Sequence, residues 1–282
     1  MKLIRNPRKA YRYLSLLKVE GKTIGFVPTM GYLHEGHLSL IKKARRENDI
    51  VVVSIFVNTL QFGPREDYES YPKDFKRDKA LARDAGADLI FNPGIRAMYT
   101  GNHSTFVNVR KLPENLCGRF RPRHFRGVAT VVTKLLNIVP ADTAYFGQKD
   151  AQQAFIIMKM VKDLNMPVAI KMLPIVREKD GLAMSSRNIY LDTKQRREAA
   201  VLYRSLCLAE KIIKTGKRDS KNIIKKMKNL IQGESSAKVQ YISIVDIDRL
   251  KDVKKIKGRV LIALAAYFGR IRLIDNIIVR RK

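Results

Sequence analysis

A chain of 282 residues, 45% of them hydrophobic, can bury a sizeable core and divide into two domains. Its longest apolar stretches, such as 51–57 and 260–266, are too short to cross a bilayer, residues 1–7 lack the apolar core of a secretory signal, and the two distant cysteines, Cys117 and Cys207, cannot frame a disulfide scaffold. A cytoplasmic protein with no membrane partner is expected. The net charge of +30 points towards polyanions, yet Lys and Arg are spread along the chain. In the denser runs, 214–228 and 251–259, they alternate with apolar residues as on solvated faces of amphipathic elements, which disfavours specific nucleic-acid binding and leaves a small polyanion compatible with the same field.

In chain order, the apolar run 23–27 predicts a strand and the amphipathic run 38–44 a helix. The segment between them, Pro28-Thr29-Met30-Gly31 leading into His34-Glu35-Gly36-His37, is therefore a strand-to-helix turn. The β-branched run 51–57 reads as a strand buried on both faces of a parallel sheet, and 88–91 and 143–146 read alike. Helical patterns occupy 75–85, 128–139 and 152–164. This alternation runs to about residue 177 and predicts an α/β architecture, with a Rossmann-like parallel-sheet nucleotide-binding domain over 1–180. Beyond it, 193–214 and 220–231 read as charged helices, 239–246, 259–266 and 270–279 as strands, and 233–236 and 251–258 as loops. A smaller α+β C-terminal domain over 181–282, closing over the site, is expected.

Strands 23–27, 51–57 and 143–146 run into polar or glycine-bearing segments at 28–37, 58–62 and 147–150. Ligands of parallel α/β sheets bind outside the carboxyl ends of the strands, so the candidate residues converge on one edge. His34 and His37, three apart at a helix start, place both rings on one face beside backbone N–H groups that attract anions. They are two of only four histidines, and Gly31 and Gly36 flank them, as expected where backbone approaches a ligand. A His-x-x-His pair also suggests a metal, but no Cys or third His lies nearby to complete a tetrahedral site, so a phosphate is favoured over zinc. Far downstream, Met184-Ser185-Ser186-Arg187 offers two hydroxyls and a guanidinium, which alone reads as a surface turn.

The ordered series of Pro28 to Ile41, Phe56-Val57-Asn58 with Gln61-Phe62, Tyr71-Pro72, Leu116-Cys117-Gly118 with Arg121-Pro122 and His124-Phe125, Phe146-Gly147 with Lys149-Asp150 and Gln152-Gln153, and Val176-Arg177 through Asp180-Gly181 to Asn188 is specific. In it the chain resembles the pantothenate synthetase (pantoate–β-alanine ligase) family of the nucleotidyltransferase superfamily over nearly its whole length. The resemblance implies a ligase that activates pantoate with ATP as pantoyl adenylate, releases pyrophosphate, then joins β-alanine to give pantothenate and AMP. It assigns ATP to Met30, Gly31, Tyr32, Leu33, His34, Glu35, Gly36 and His37, to Gly147, Gln148, Lys149 and Asp150, to Val176 and to Met184, Ser185, Ser186 and Arg187. His37, His34 and Lys149 are the implied catalytic groups, with His37 donating a proton or hydrogen bond to the developing charge and Lys149 on the phosphates. Asp150 suits the ribose and the Val176 backbone the adenine. Gln61 and Gln153 are implied for pantoate and β-alanine; neutral amides orient a carboxylate without quenching its nucleophilicity in an ion pair.

The same resemblance implies Mg2+, with Asp78 aligned to a magnesium-associated acid although Arg77 beside it departs from the pattern, and a homodimer. Thr59-Leu60, Arg123 and Gln148 depart as well, and none removes a group assigned to chemistry. A related nucleotidyltransferase making a dinucleotide or cytidylyl product would share the histidine motif without needing both Gln61 and Gln153.

Overall fold

Strand and helix alternate through the first part of the chain as β1 (Lys2–Ile4), α1 (Pro7–Val19), β2 (Ile24–Thr29), α2 (Glu35–Glu47), β3 (Ile50–Ile55), α3 (Phe75–Asp84), β4 (Leu89–Phe91), α4 (Ile95–Met98), α5 (His124–Ile138), β5 (Thr143–Gly147), α6 (Ala151–Asp163) and β6 (Ala169–Leu173). They belong to a computed structural model that describes residues 1–64, 66 and 68–280. The chain clusters into two units, one of Met1–Arg110, Arg121–Gln148 and Gln153–Pro174, the other of Lys111–Phe120, Lys149–Gln152 and Ile175–Lys282.

In the first unit six strands form a parallel sheet in the order β1-β4-β3-β2-β5-β6. The pleat sends successive side chains to opposite faces. Phe26, Val52, Ala144 and Phe146 join Leu14, Val128, Leu135 and Ile157 from α1, α5 and α6 in one core, while Val27, Val51, Val53 and Tyr145 join Leu38, Ile41, Ala44 and Ala82 from α2 and α3 in another. Both faces are thus covered, which is why these strands read as continuous apolar runs. The chain leaves β2 for β3 on one side and returns to β5 on the other, so strand order reverses at β2. The carboxyl ends of β2 and β5 therefore flank the switch point where such sheets bind ligands.

The second unit holds α7 (Thr193–Glu198), α8 (Val201–Lys214), α9 (Ser220–Gln232) and the strands β7 (Ala237–Asp246), β8 (Arg259–Phe268) and β9 (Ile271–Arg280). The strands form an antiparallel sheet in sequence order. Leu202, Leu206 and Ile213 of α8 and Ile223, Met227 and Ile231 of α9 pack against Ile244, Ile262, Leu264 and Leu273 of that sheet. The fold is accordingly α/β, a parallel sheet between helices with a smaller antiparallel sheet. No helix among the described residues is long and apolar enough to cross a membrane.

Several elements differ from the sequence-based expectation. β1, α1 and β6 have no counterpart in it: β1 has three residues, α1 fully buries only Ala10 and Leu14, and β6 is an edge strand with a half-exposed pattern. Helix α5 begins at His124 rather than 128, because Gly127 is a close-packing residue and not a breaker; a Cβ there would lie 2.2 Å from the Leu60 carbonyl oxygen. The helix expected over 193–214 is two. Leu202 N–H bonds back to the Ala199 carbonyl, one residue short of the α-helical partner, and the buried Glu198 carboxylate accepts from the Ser236 N–H at 3.0 Å.

A polar hub joins α2 to the sheet. Glu47 accepts from the Tyr145 hydroxyl at 2.8 Å and pairs with Lys43 at 2.9 Å and Lys171 at 3.0 Å, while Asn48 Nδ2 donates to the same hydroxyl. Hydrogen bonds from Lys43, Tyr145 and Lys171 lower the Glu47 pKa from 4.5 to about 2. A depressed carboxylate stabilises the fold fully above its unfolded value and loses that contribution as pH falls through the folded one. Glu47→Gln should therefore flatten the acid-side decline of stability between pH 4.5 and 2, read by urea unfolding at stepped pH. An unaltered decline would remove Glu47 from this account.

Candidate active site

The turn after β2 is fixed before any ligand enters. Gly31 and Tyr32 both take positive φ, 88° and 51°, a bend that brings Met30 to Leu33 round to the start of α2. His34 is the N-cap and His37 the third residue of that helix, and each ring serves the helix end. His34 Nδ1 accepts from the Gly36 N–H at 3.1 Å, and His37 Nδ1 accepts from the His34 N–H at 3.4 Å. The ring centroids lie 4.1 Å apart. With Nδ1 the acceptor in both, the neutral rings carry their proton on Nε2, the nitrogen that can donate to an anion. Gly36 is required by this packing, since a Cβ would come within 2.8 Å of the His34 ring. Glu35, in the first turn, faces Lys42 at 3.7 Å.

Asp78 in α3 holds the same turn from behind. Its carboxylate is almost wholly buried and accepts from Tyr32 N–H at 2.8 Å and Leu33 N–H at 2.7 Å. Arg77 adds a bond to the Leu33 carbonyl at 2.9 Å and lies over the Tyr32 ring. Burial pushes the Asp78 pKa up against the pull of the two amides. Each of its oxygens thus accepts from a backbone N–H of the turn, and among the described residues no group of three His, Cys, Asp or Glu side chains gathers.

Gln61 follows β3 in a short 3-10 turn capped by Asn58. The buried Asn58 is a four-way junction: Nδ2 donates to Gln61 Oε1 and to the Gly127 carbonyl, both at 3.1 Å, and Oδ1 accepts from the Leu60 N–H and from the Tyr99 hydroxyl. Gln61 Nε2 in turn donates to Met30 Sδ at 3.0 Å. The amide is thereby oriented, and Gln61 is tied to the β2 turn. Its carbonyl contacts His124 Nδ1 at 2.9 Å and Arg121 Nη2 at 3.4 Å. Arg121 is clamped by Glu66, and although burial opposes ionisation of Glu66, the guanidinium outweighs it and keeps the carboxyl below the ordinary glutamate range.

Past β5, Gly147 and Gln148 close the first unit's share of the edge. Gln153 is half-buried in α6, and its neighbour Gln152 has a different task. Gln152 belongs to the second unit, where it accepts from the Cys117 N–H and donates to the Leu112 and Asn115 carbonyls, pinning the 111–120 segment.

The second unit holds the remaining assigned residues. Lys149 pairs with Asp150 at 3.6 Å, and its carbonyl accepts from Asn276 Nδ2 at 3.0 Å. Val176 to Met184 fold back as a tight hairpin, with Met184 N–H on the Val176 carbonyl and Glu178 N–H on that of Leu182. Ser185 then caps a 3-10 turn over Ser186–Tyr190, its hydroxyl accepting from the Arg187 N–H at 3.3 Å. Arg177 stacks 3.9 Å over the Tyr203 ring and forks onto Asp275, at 2.6 and 2.9 Å. Burial pushes the Asp275 carboxyl up, against Arg177. Asp275 also accepts from the Asn276 N–H, so two adjacent residues of β9 hold both Lys149 and the hairpin that carries Val176.

Two substitutions test these supports. Asp78→Asn replaces one acceptor by an NH2 group facing a backbone N–H, and should cost about 1–3 kcal/mol in urea unfolding; wild-type stability would refute the brace. Asp275→Asn leaves the largely buried Arg177 without its counter-charge and should cost about 3 kcal/mol by the same measurement. An unchanged unfolding midpoint there would mean that Tyr203 and the carbonyl groups suffice.

Comparison with known proteins matches this geometry to a family. The model for Pantoate-beta-alanine ligase matches residues 2–278. The pantothenate synthetase of Caldicellulosiruptor bescii is 56% identical over 266 residues, 94% of this chain and 94% of that one. Among solved structures, pantothenate synthetase from Thermus thermophilus matches with a TM-score of 0.93 at 41% identity, covering 98% of this chain and 99% of that one. Pantoate-β-alanine ligase from Francisella tularensis, solved in complex with β-γ ATP and β-alanine, matches with a TM-score of 0.82 at 35% identity, covering 98% and 97%. With likeness running from end to end in both sequence and fold, the chain belongs to the pantoate–β-alanine ligase family.

Proposed function

We propose that the residues gathered at the carboxyl ends of β2 and β5, together with Lys149, Asp150 and the 176–187 hairpin, carry the family's reaction. That reaction is the ATP-dependent condensation of pantoate with β-alanine. A carboxylate oxygen of pantoate bonds to the α-phosphorus of ATP as the bond to pyrophosphate breaks. The β-alanine amine then bonds to the acyl carbon as the carbon–oxygen bond to AMP breaks, and the nitrogen sheds a proton. The observation that carries the assignment is the histidine pair, whose shared cap leaves each imidazole a donor at Nε2 beside a helix start. Little covalent help is needed, since the barrier is one of aligning two anions and neutralising the charge that builds between them.

In this reading His34, His37 and Lys149 attend the phosphates, Gly147, Gln148 and Asp150 the adenosine, and Met30 to Leu33 and Glu35 to Gly36 line the turn. Val176 meets the adenine through its backbone, its carbonyl already accepting from the Met184 N–H. Ser185, Ser186 and Arg187 attend the triphosphate. Gln61, already oriented by Asn58 and Met30, and Gln153 take pantoate. Mg2+ bound with ATP would neutralise charge on the phosphates, with Asp78 the acid that the resemblance associates with it. A cytoplasmic homodimer completes the reading, on resemblance to the family.

Release of AMP and pyrophosphate should require ATP, magnesium, pantoate and β-alanine together, with pantothenate formed. His37→Ala and Lys149→Ala should each slow pantoate-dependent exchange of pyrophosphate into ATP about 10²–10³-fold, with thermal unfolding only modestly altered. Near-wild-type exchange in either variant would strip that residue of its role.

A further inference from the structure

β-Alanine brings an amine to the adenylate and a carboxylate at its other end. Gln61 and Gln153 are neutral amides and cannot balance that charge, and a carboxylate leaving water for a partly buried site needs a counter-cation. A cation already touches the Gln61 backbone. Arg121 Nη2 lies 3.4 Å from the Gln61 carbonyl, and its side chain is only 17% exposed. We propose that Arg121 binds the carboxylate of β-alanine, with the Glu66 side chain occupying that position until substrate displaces it. This inference rests on the site reading above.

The geometry of the present partner carries the argument. Arg121 Nε donates to Glu66 Oε1 at 2.7 Å while Nη2 donates to Oε2, the two-pronged fork that guanidinium offers to a carboxylate. A ligand carboxylate on the same fork would sit against the backbone of Gln61, the residue whose side-chain amide is assigned to the acyl half of the adenylate. His124 braces the arrangement, one ring nitrogen 2.9 Å from the Gln61 carbonyl and the other 3.3 Å from Arg121 Nη1. Glu66 is suited to yield. Its side chain is 25% exposed, and it stands in a short turn closed by its N–H on the Gly63 carbonyl at 3.1 Å. Released, the Glu66 carboxylate regains water, and the Arg121 guanidinium offers its fork to an incoming carboxylate.

The test compares wild type, Arg121→Gln and Glu66→Gln in two assays. One is pantoate-dependent exchange of pyrophosphate into ATP without β-alanine; the other is amide formation with β-alanine or with propylamine, which lacks the carboxylate. Arg121→Gln should raise the β-alanine KM about 10–100-fold, by far more than it slows exchange, and erase the preference for β-alanine over propylamine. Glu66→Gln should lower the β-alanine KM, since the internal competitor is gone, and it carries the test alone if Arg121→Gln does not fold. An unchanged β-alanine KM in Arg121→Gln, equal losses with both amines, or a raised KM in Glu66→Gln would overturn the proposal. Absence of exchange in wild type would instead sink the site reading, and this inference with it.

Discussion

Everything at the candidate site depends on β2 being paired in parallel on both sides, with β3 through the register Ile24↔Ile50 to Thr29↔Ile55 and with β5 through Gly25↔Thr143 and Phe26↔Ala144. That register is held by the two cores. Slipping one strand by a residue would swap Phe26 and Val52 with Val27 and Val53, putting each on the wrong face. The same slip would carry the His34 turn away from the end of its neighbour. Hydrophobic packing in the middle of the sheet therefore sets the position of polar groups at its edge.

The edge itself is organised by buried acceptors. Loops that leave a sheet expose backbone N–H groups which need partners, and here they find Asp78 and Asn58. Neither is among the residues assigned to ATP or pantoate. Each frees its neighbours from making their own bonds, so the histidines and Gln61 are held in place by groups that need not touch substrate. The histidines differ in that they serve both purposes, since the nitrogen that caps the helix is not the one that can donate to an anion.

The sheet strands and the histidine turn were legible because a strand buried on both faces has an unmistakable composition and because glycine-flanked histidines at a helix start are rare. What stayed hidden depends on contacts distant in sequence. Asp275 and Asn276 sit side by side in the middle of a largely apolar strand, and only the fold brings Arg177 and Lys149 to them. Gln152 and Gln153 are chemically identical, yet one pins a loop and the other remains half-buried. The two backbone amides that Asp78 accepts from belong to Tyr32 and Leu33, far upstream, and nothing around it in the sequence shows them. The Asn6-Pro7 start of α1 was a readable signal, Asn6 accepting from the Lys9 N–H, but the helix it opens buries too narrow a stripe to stand out.

The division of the chain into units has a consequence for how such a protein can be remade. Because Lys111–Phe120 and Lys149–Gln152 cluster with the C-terminal stretch rather than with the residues that flank them, the backbone passes between units repeatedly. Neither unit is a cassette. A fragment starting at Ile175 would lack Gln152 and Lys149, and one ending at Pro174 would carry two orphaned segments whose partners are gone. Splicing at a single point would separate segments that cluster together, and joining those segments in the fold carries the loop-closure entropy of contacts far apart in sequence.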